Sequence, residues 1–326
     1  MDAKPKIVIL VGPAGSGKST KAYTLEKGLG YVRISQDDQG KEHMELFKKA
    51  LNEKKNIVID RMNFDKNQRN RYLDPAKAAG YETKIIVFHL PFATCFERCM
   101  ARENHPTIHN RGGRVSSRVD TSAYYVDDKQ KSDSASSALN TFFKLYERVE
   151  DSEANEVERL GWDGRKAQCI YSDIDGTLAD IEHRRHYTQK TVEYPKPHWG
   201  KFFAEMVNDK PNKFCVEIIR AMLAKASNMT PEERPYELVI ATGRPDNYHQ
   251  QTTEWLHQTF GYKNYSHLLM RPRNDFRKDS IVKEIMLEFE IKTRYDVLFA
   301  LDDRDQVVEM LRKHGVRVLQ VDYGDF

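Results

Sequence analysis

The sequence predicts an α/β fold of two domains, each built around a parallel β-sheet. At 326 residues the chain is long for one domain and comfortable for two. In both halves, short β-branched runs alternate with helix-like segments, which is the pattern of βαβ units. A polar stretch separates the two series and puts the boundary near Trp162–Lys166. We therefore expect one domain over residues 1–160 and a second over residues 166–326.

The first half contains three clear β-rich runs. They are Ile7–Val11, Asn56–Asp60 and Lys84–Leu90. The serine-rich stretch Asp127–Ala138 is typical of a loop, whereas Leu139–Glu150 has the apolar spacing of an amphipathic helix. The acidic residues from 151 to 166 again suggest a loop. The first domain is therefore expected to end in a linker helix followed by an irregular connection.

The second half repeats this alternation with four β-rich runs. They are Ala167–Gly176, Tyr236–Arg244, Asp296–Arg304 and Val316–Asp322. The two halves share a fold class but no repeated sequence, so the second domain is not a copy of the first.

The composition indicates a folded cytoplasmic protein. Hydrophobic residues make up 39% of the chain and charged residues 31%, and the net charge is only +3. No apolar run approaches the ~20 residues of a membrane helix, and the N-terminus lacks a signal-peptide pattern. The cysteines are too few for a disulfide scaffold and lack metal-site spacing, so we expect plain thiols. They are Cys95, Cys99, Cys169 and Cys215.

The segment Gly12–Ser19 matches the phosphate-binding pattern G-x-x-x-x-G-K-[ST] at every position. Its glycines allow successive backbone N–H groups to surround a phosphate, and the N-terminus of the following helix adds partial positive charge. Lys18 is suited to the β- and γ-phosphates of a nucleotide, and the Ser19 hydroxyl to a Mg²⁺ shell. The predicted nucleotide-binding residues are Gly12, Gly15, Gly17, Lys18, Ser19 and Thr20.

Two further features of the first half have more than one interpretation. Asp37 and Asp38 follow a strand-like run, where one carboxylate could accept a hydroxyl proton or the pair could cap a helix. Arg98 and Arg102 are four apart on a predicted helix, where they could clamp a transferring phosphoryl group or form a solvated basic face. A basic cluster continues from here to Arg118.

The second half carries the motif Asp173-Ile-Asp175-Gly-Thr at the end of an apolar run. An aspartate presented in this way can attack a phosphate ester and form an aspartyl-phosphate. Asp175 would protonate the leaving oxygen and later activate water. The motif therefore predicts phosphoryl removal, which is different chemistry from that of the first half.

Other residues suited to this chemistry follow in order along the chain. Thr242, with Gly243 and Arg244, ends a strand where it could bind phosphoryl oxygens, and Lys278 could neutralise the nucleophile. The acidic pair before Arg304 ends another strand and would complete a Mg²⁺ site, because hard carboxylate oxygens favour that ion over zinc. The predicted metal ligands are Ser19 in the first domain and Asp173, Asp175, Asp302 and Asp303 in the second.

These pieces resemble the signature of the haloacid dehalogenase phosphatase superfamily. A P-loop kinase followed by such a phosphatase resembles the tailed-phage polynucleotide kinase-phosphatases, and Leu298–Phe326 looks like their C-terminus nearly residue for residue. The resemblance covers Ile7 to about Arg102 and Gln168 onward. It implies a P-loop kinase domain with a parallel sheet and a Rossmann-like haloacid dehalogenase-type phosphatase domain.

The resemblance also implies roles for individual residues. Asp37 falls on the general base that activates a 5′-hydroxyl, Arg102 on a lid arginine, and Arg98 on its neighbouring helper. Thr242, Gly243, Arg244 and Arg304 fall at the substrate phosphate, and Lys278 on the phosphatase lysine. One departure stands out, because the family arginine three residues after the general base is Gly40 here. Either Lys41 replaces that arginine, or the acceptor strand is held differently.

A kinase and a phosphatase in one chain make sense when they act on opposite ends of a broken strand. The resemblance implies ATP-dependent phosphorylation of 5′-hydroxyl ends of RNA or DNA and hydrolysis of 3′-phosphate or 2′,3′-cyclic phosphate ends. A polynucleotide ligase would be the functional partner. Self-association is also implied, as is the host cytoplasm if the protein is phage-encoded.

Two other functions are compatible with the motifs, and one segment has two interpretations. A bifunctional enzyme of small metabolites would not bind oligonucleotides, and a sensing scaffold would bind nucleotides without turnover. The aromatic and basic residues of Glu182–Phe203 could stack bases and meet phosphates, or form a cap packed on the phosphatase core.

Overall fold

The structure is a computed structural model that describes residues 4–101, 128–162, 166–190, 195–226, 236–261 and 264–324. The chain divides into two compact units, Met1–Asp163 and Gly164–Phe326. Each unit has its own five-stranded sheet, and neighbouring strands in both sheets are parallel. The predicted α/β fold with two parallel sheets is confirmed.

The sheet of the N-terminal unit has the strand order β2-β3-β1-β4-β5. Its strands are β1 (Lys6–Val11), β2 (Val32–Ile34), β3 (Ile57–Asp60), β4 (Glu82–Phe88) and β5 (Glu156–Leu160). Leu10 of β1 is level with Asp60 of β3, so the carboxyl ends of these two central strands meet at one edge of the sheet. Ligands of open parallel sheets bind at this edge.

In the described part of this unit, α-helices pack around the sheet. They are α1 (Lys18–Leu29), α2 (Gln36–Gln39), α3 (His43–Asn52), α4 (Lys66–Ala78), α5 (Phe92–Ala101) and α6 (Asp128–Leu145), with short 3₁₀ turns at Gly40–Glu42 and Asp151–Glu153. Apolar side chains of the central strands, among them Val8, Leu10, Val58 and Ile86, form a buried core against α1.

Two sequence-based expectations for the end of this unit are wrong. The serine-rich stretch is not a loop, because from Asp128 onward it is the first part of α6. Ala135, Leu139 and Phe142 recur at helical spacing and are fully buried, so tertiary packing stabilises a helix that the polar composition conceals. The acidic segment after α6 contains β5, an edge strand paired with β4.

The sheet of the C-terminal unit has the strand order β10-β9-β6-β11-β12. The strands of this unit are β6 (Ala167–Ser172), β7 (Ala179–Asp180), β8 (Lys210–Pro211), β9 (Glu237–Pro245), β10 (His267–Arg271), β11 (Tyr295–Arg304) and β12 (Val318–Gly324). The four runs predicted from sequence correspond to β6, β9, β11 and β12. The edge strand β10 has no counterpart among the predictions. Strands β7 and β8 form a separate antiparallel pair.

Helices cover both faces of this second sheet. They are α7 (Glu182–Arg185), α8 (Trp199–Ala204), α9 (Lys213–Ala226), α10 (His249–Phe260), α11 (Asp279–Ile285) and α12 (Asp305–Lys313), with 3₁₀ turns at His186–Thr188, Glu205–Asn208 and Asp246–Tyr248 and a π-helical turn at Met286–Ile291. Two buried apolar clusters form the core. Among the described residues, no helix combines the length and apolar character that crossing a membrane would require.

Candidate active sites

The predicted phosphate-binding loop joins β1 to α1 at the carboxyl edge of the first sheet. Gly15 and Gly17 have φ angles of 81° and 99°, which glycine adopts without steric cost. A Cβ on Gly15 would lie 2.4 Å from the Cys95 carbonyl oxygen, so α5 packs directly over the loop. The backbone N–H of Gly12 donates to the Met62 carbonyl at 3.2 Å, which fixes the loop to the segment after β3.

The side chains of this loop are arranged as a nucleotide site requires. Lys18 begins α1 and is buried, and its Nζ donates to the Pro13 carbonyl at 2.7 Å. The Ser19 hydroxyl donates to Asp60 at 3.2 Å, which puts a carboxylate beside the predicted Mg²⁺ ligand. Thr20 is exposed on α1. The glycine backbone, the lysine and the hydroxyl–carboxylate pair fit the phosphates and divalent cation of a nucleotide.

The two consecutive acids after β2 have different environments. Ser35 is the N-cap of α2, and its hydroxyl accepts from the backbone N–H of Asp38 at 3.4 Å. The Asp38 carboxylate pairs with Arg33, whose guanidinium also binds Asp60 at 2.6 Å. Asp37 is exposed, but neighbouring protein atoms displace part of its solvent, and this desolvation, followed by the negative charges of Asp60 and Asp38, raises the pKa of its carboxyl group. Since Ser35 is the cap, the carboxylate of Asp37 does not cap α2.

The cations whose charges act on Asp37 lie elsewhere than at Gly40, the position of the family arginine. Lys18 and Arg61 are the cations whose charges lower the pKa of Asp37. Arg61 directly follows β3 and is anchored by a 2.9 Å hydrogen bond from Nη1 to the Tyr72 hydroxyl. Lys41 is exposed in the turn after α2.

The predicted arginine clamp is only partly described. Arg98 is exposed in the last turn of α5, the helix that covers the phosphate loop. Cys99 of this helix belongs to a buried cluster with Ala14 of the loop and Ala135 of α6. Arg102, together with the cluster that continues to Arg118, lies outside the described residues.

In the C-terminal unit, the predicted acids meet where neighbouring strands end. Asp173 directly follows β6, and Asp302 and Asp303 lie near the end of the adjacent β11. One carboxylate oxygen from each of these three aspartates lies within 4.8 Å of the others, and all three side chains are buried. The second carboxylate oxygen of Asp303 is buried and has no hydrogen-bond partner among the described residues. This arrangement fits a hard divalent cation.

Lys283 is the cation that binds the predicted nucleophile. Its Nζ is 2.7 Å from Asp173 and 3.0 Å from Asp302, and it also pairs with Asp279 at 3.4 Å. Burial lowers the pKa of Lys283, but the attraction of these three carboxylates outweighs burial and raises it well above the ordinary value. Lys278 instead precedes α11 and lines the cavity above the aspartates. The geometry therefore favours Lys283 over the predicted Lys278 for neutralising Asp173.

The pKa values of the two aspartates of the motif are shifted in opposite directions. Burial raises the pKa of Asp173 to about 7, and Lys283 lowers it only in part. Burial also raises the pKa of Asp175, but Arg244 and Arg184 outweigh this effect and keep it below its ordinary value. Asp175 does not join the group of three aspartates, because its carboxylate pairs with Arg184 at 2.5 Å and with Arg244 at 2.6 Å.

A second acid, Asp209, pairs with both arginines that bind Asp175. Asp209 is buried and accepts from Arg184 at 2.7 Å and from Arg244 at 2.8 Å. Nη1 of Arg244 is buried without a hydrogen-bond partner among the described residues. Asp209 and Arg184 were not predicted from sequence, because neither lies in the motif.

The remaining predicted residues surround Asp279, which begins α11. Thr242 is fully buried, and its hydroxyl accepts from the Arg244 backbone N–H at 3.2 Å. A Cβ on Gly243 would lie 2.7 Å from the Asp279 carboxylate, so only glycine fits there. Arg304 pairs with Asp279 at 3.5 Å. Burial raises the pKa of Asp279, but Lys283, Arg304 and Arg271 together lower it below its ordinary value.

A cavity of about 400 Å³ opens above these residues. Asp173 and Asp175 lie in its wall together with basic and aromatic side chains. These are Trp199, Phe202, Phe203, Arg271, Arg273, Phe276, Arg277, Lys278 and Arg304. The site thus combines a buried carboxylate, a neutralising lysine, arginines and an open approach, which suits nucleophilic cleavage of a phosphate ester.

Family models match both halves of the chain. Residues 167–326 match the phosphatase domain of the polynucleotide kinase PNKP, and residues 7–123 match an AAA domain. The pair confirms the resemblance to polynucleotide kinase-phosphatases and the predicted enzyme class at the level of domains. These domain types imply use of a nucleotide and a divalent metal.

Individual relatives are more distant. A putative bifunctional polynucleotide kinase/RNA ligase of Autographa californica nuclear polyhedrosis virus is 24% identical over 95% of this chain and 41% of its own length. The transcription factor bHLH140 of Arabidopsis thaliana is 34% identical over 36% of this chain and 14% of its own length. The chain therefore spans less than half the length of these curated relatives.

A chain in the solved structure of the Pnkp1/Rnl/Hen1 RNA repair complex is also similar. Its sequence identity is 23%, its TM-score is 0.40, and the alignment covers 100% of this chain and 98% of that chain. Residues 167–326 of the present chain are therefore similar to polynucleotide kinase phosphatase domains, and the preceding region that contains the P-loop is similar to AAA domains.

Proposed function

We propose that this protein heals broken nucleic-acid ends, phosphorylating 5′-hydroxyl termini and removing the phosphate from 3′-phosphate termini. The main support is the presence of two separate phosphate-handling sites in one chain, one at Lys18 and one at Asp173. Acting on opposite ends of a break, the two activities convert ends that a ligase rejects into ends that it can join. 2′,3′-Cyclic phosphate ends are proposed substrates as well.

At the kinase site, ATP is the proposed phosphoryl donor. The loop backbone and Lys18 would hold its phosphates, and Ser19 with Asp60 would hold the accompanying Mg²⁺, which supplies charge neutralisation. Asp37 would accept the proton of the 5′-hydroxyl as that oxygen bonds to the γ-phosphorus and ADP departs. The raised pKa of Asp37 suits a proton acceptor. Arg98 and Arg102 are proposed to contact the transferring phosphate.

At the phosphatase site, Asp173 is the proposed nucleophile. Its carboxylate oxygen bonds to phosphorus while the bond to the 3′-oxygen breaks, and Asp175 gives that oxygen a proton. Asp175 then takes a proton from the water that hydrolyses the aspartyl-phosphate, which restores both carboxyl groups. Asp173, Asp302 and Asp303 would hold a Mg²⁺ ion, whose positive charge would favour docking of the anionic phosphate.

The arginine cluster explains how Asp175 could serve both as acid and as base. Paired with Arg184 and Arg244, Asp175 is a carboxylate, which suits the water-activating step. Nη1 of Arg244, which has no hydrogen-bond partner within the described ranges, is suited to a phosphoryl oxygen. A phosphate that draws Arg244 towards itself would weaken its pairing with Asp175 and raise the pKa of that acid.

The proposed cellular setting follows from this function. The partners would be RNA or DNA ends and a polynucleotide ligase, and the location would be the cytoplasm. Self-association remains part of the proposal. The basic cluster from Arg98 to Arg118 is proposed to contact the strand as well as the nucleotide.

An oligonucleotide with a 5′-hydroxyl and a 3′-phosphate tests both activities in one reaction with ATP and Mg²⁺. We expect a 5′-phosphate and a 3′-hydroxyl product. Asp173→Asn should stop release of the 3′-phosphate without affecting 5′-phosphorylation, and Lys18→Ala should do the converse, because each residue lies in its own unit. Unchanged ends with the wild-type protein would exclude the proposed function.

Salt dependence separates this function from action on small metabolites. A strand binder releases counterions when it binds, so its affinity falls steeply as salt rises. We expect KM for the oligonucleotide to increase strongly between about 50 and 200 mM salt, because proteins that contact several phosphates lose affinity steeply over this range. A salt-independent KM would favour a metabolite substrate.

A further inference from the structure

Phe276 is a large apolar side chain that the C-terminal unit holds in solvent. It is 91% exposed, the largest exposed fraction given for any large hydrophobic residue among the described parts of the chain. It lies between β10 and α11, in the wall of the cavity that contains Asp173. Burying a phenylalanine is worth about 1.5–3 kcal/mol, so its exposure forgoes a favourable contribution.

The backbone on both sides of Phe276 is fixed. Nη1 of Arg271 donates to the carbonyl oxygens of Asp275 at 3.1 Å and of Arg277 at 2.8 Å. The Asp275 carboxylate is buried and pairs with the Arg277 guanidinium. The Asp275 backbone N–H donates to the Pro272 carbonyl at 2.9 Å. The loop that carries the exposed ring is therefore already ordered, so it would lose little conformational entropy when a partner binds to the ring.

The surroundings of Phe276 determine what kind of partner fits. Arg273, Arg277, Lys278 and Arg304 line the same cavity, so cations lie beside the aspartates in its wall. Trp199 also lines it, with an exposed fraction of 42% and its ring packed edge-on against Phe202 at 5.6 Å. Exposed aromatic rings among cations are suited to stacked bases joined by phosphates.

We propose that Phe276 is a stacking platform for the base of the nucleotide that carries the 3′-phosphate. This role rests on the proposed phosphatase function and narrows its substrate to 3′-phosphate ends that carry a base on the last nucleotide. A 3′-phosphate without such a base would lose the contact with Phe276.

The test compares phosphate release by the wild-type protein and by Phe276→Ala from three substrates. They are a single-stranded oligonucleotide with a 3′-phosphate, the same strand with an abasic last residue, and glycerol 2-phosphate. For the first substrate we expect Phe276→Ala to raise KM roughly tenfold with kcat unchanged, as loss of one base–aromatic stack predicts. The other two substrates should not distinguish the variants, since they offer no base to the ring.

Two further variants serve as controls. Phe276→Trp should restore the wild-type KM, because an indole ring also stacks. Tyr323→Ala removes another aromatic side chain of the same unit, 88% exposed, and should leave all three substrates unaffected. Unchanged turnover of glycerol 2-phosphate by Phe276→Ala establishes that the variant is folded.

The outcomes separate this inference from the function on which it rests. If the wild-type protein releases the 3′-phosphate and Phe276→Ala has the same KM, the stacking role is wrong and the phosphatase function stands. An equal loss on all three substrates would assign the loop to positioning of catalytic groups and also overturn the stacking role. Failure of the wild-type protein to act on any oligonucleotide, with glycerol 2-phosphate hydrolysed, would overturn the proposed function itself.

Discussion

Arg61 is the residue that best accounts for the glycine at position 40. A 5′-terminal nucleotide has a phosphate on its 3′ side, and a cation near Asp37 would hold it. The guanidinium of Arg61 donates one hydrogen bond to a described residue, at Tyr72, and its charge lowers the pKa of Asp37. The guanidinium of Arg33 is less available to a phosphate, since it already pairs with both Asp38 and Asp60.

We therefore expect Arg61→Ala to raise KM for an oligonucleotide acceptor by about tenfold, the scale of one charge-assisted hydrogen bond, without changing KM for ATP. Lys41→Ala is the matched control and should have little effect, because Lys41 is exposed in the turn after α2. Initial rates at fixed salt with a DNA and an RNA acceptor measure both effects. A larger effect of Lys41→Ala would return the role to that residue.

Which individual residues could be predicted depended on whether they lie in a motif. The phosphate loop and the aspartates at strand ends could be recognised because their local sequence is diagnostic. Lys283 was missed because Lys278 and Lys283 flank the start of α11, and sequence alone did not say which one faces Asp173. Arg184 and Asp209 are brought to the site only by tertiary folding, so no local sequence pattern predicts their role.

At the scale of elements, the contact between α5 and the phosphate loop requires glycine at position 15. A Cβ there would lie 2.4 Å from the Cys95 carbonyl oxygen, and backbone cannot move aside as a flexible side chain can. The arrangement couples the position of α5, and hence of Arg98, to the conformation of the loop.

Gly15→Ala should lower the free energy of unfolding by clearly more than Gly30→Ala. Both glycines have positive φ angles, 81° and 68°, so both variants share a conformational strain of about 1–2 kcal/mol. Only Gly15 adds a steric clash, because a Cβ on Gly30 would meet nothing within 4 Å. Urea unfolding of the two variants measures the difference, and equal losses would show that α5 moves away freely.

The elements that sequence did not predict correctly are those stabilised by neighbours. Helix α6 begins in a serine-rich stretch, and its stability comes from Ala135 and Leu139 packing inside the unit. Strands β5 and β10 are short edge strands, each paired on one side only, with β4 and with β9. The central strands were predicted well because their continuous apolar runs reflect burial on both faces.

At the scale of the whole molecule, the two units have independent cores. Neither sheet contains a strand from the other unit, and the described apolar clusters each lie within one unit. Residues 1–163 and 164–326 should therefore each fold when produced alone. We expect a cooperative thermal transition for each piece and release of the 3′-phosphate by the second piece without ATP. A non-cooperative transition for either piece would show that its core needs the other unit.

The order of the two domains could be predicted from sequence because two diagnostic motifs stand in separate halves. The nature of the nucleic-acid substrate could not, since we propose that it depends on side chains such as Arg61 and Phe276, which belong to neither motif. Their placement follows from loop conformations after β3 and β10. The fold class was thus accessible from pattern, whereas substrate recognition required the structure.

Trp199 is an intrinsic fluorescence probe of the phosphatase cavity. The chain has three tryptophans; Trp255 is only 5% exposed, and Trp162 lies in the other unit, stacked on His89. Only Trp199 lines the cavity within the described residues. A ligand entering there would exclude water from an indole ring, so its fluorescence emission would shift, and occupancy could be followed on unlabelled protein.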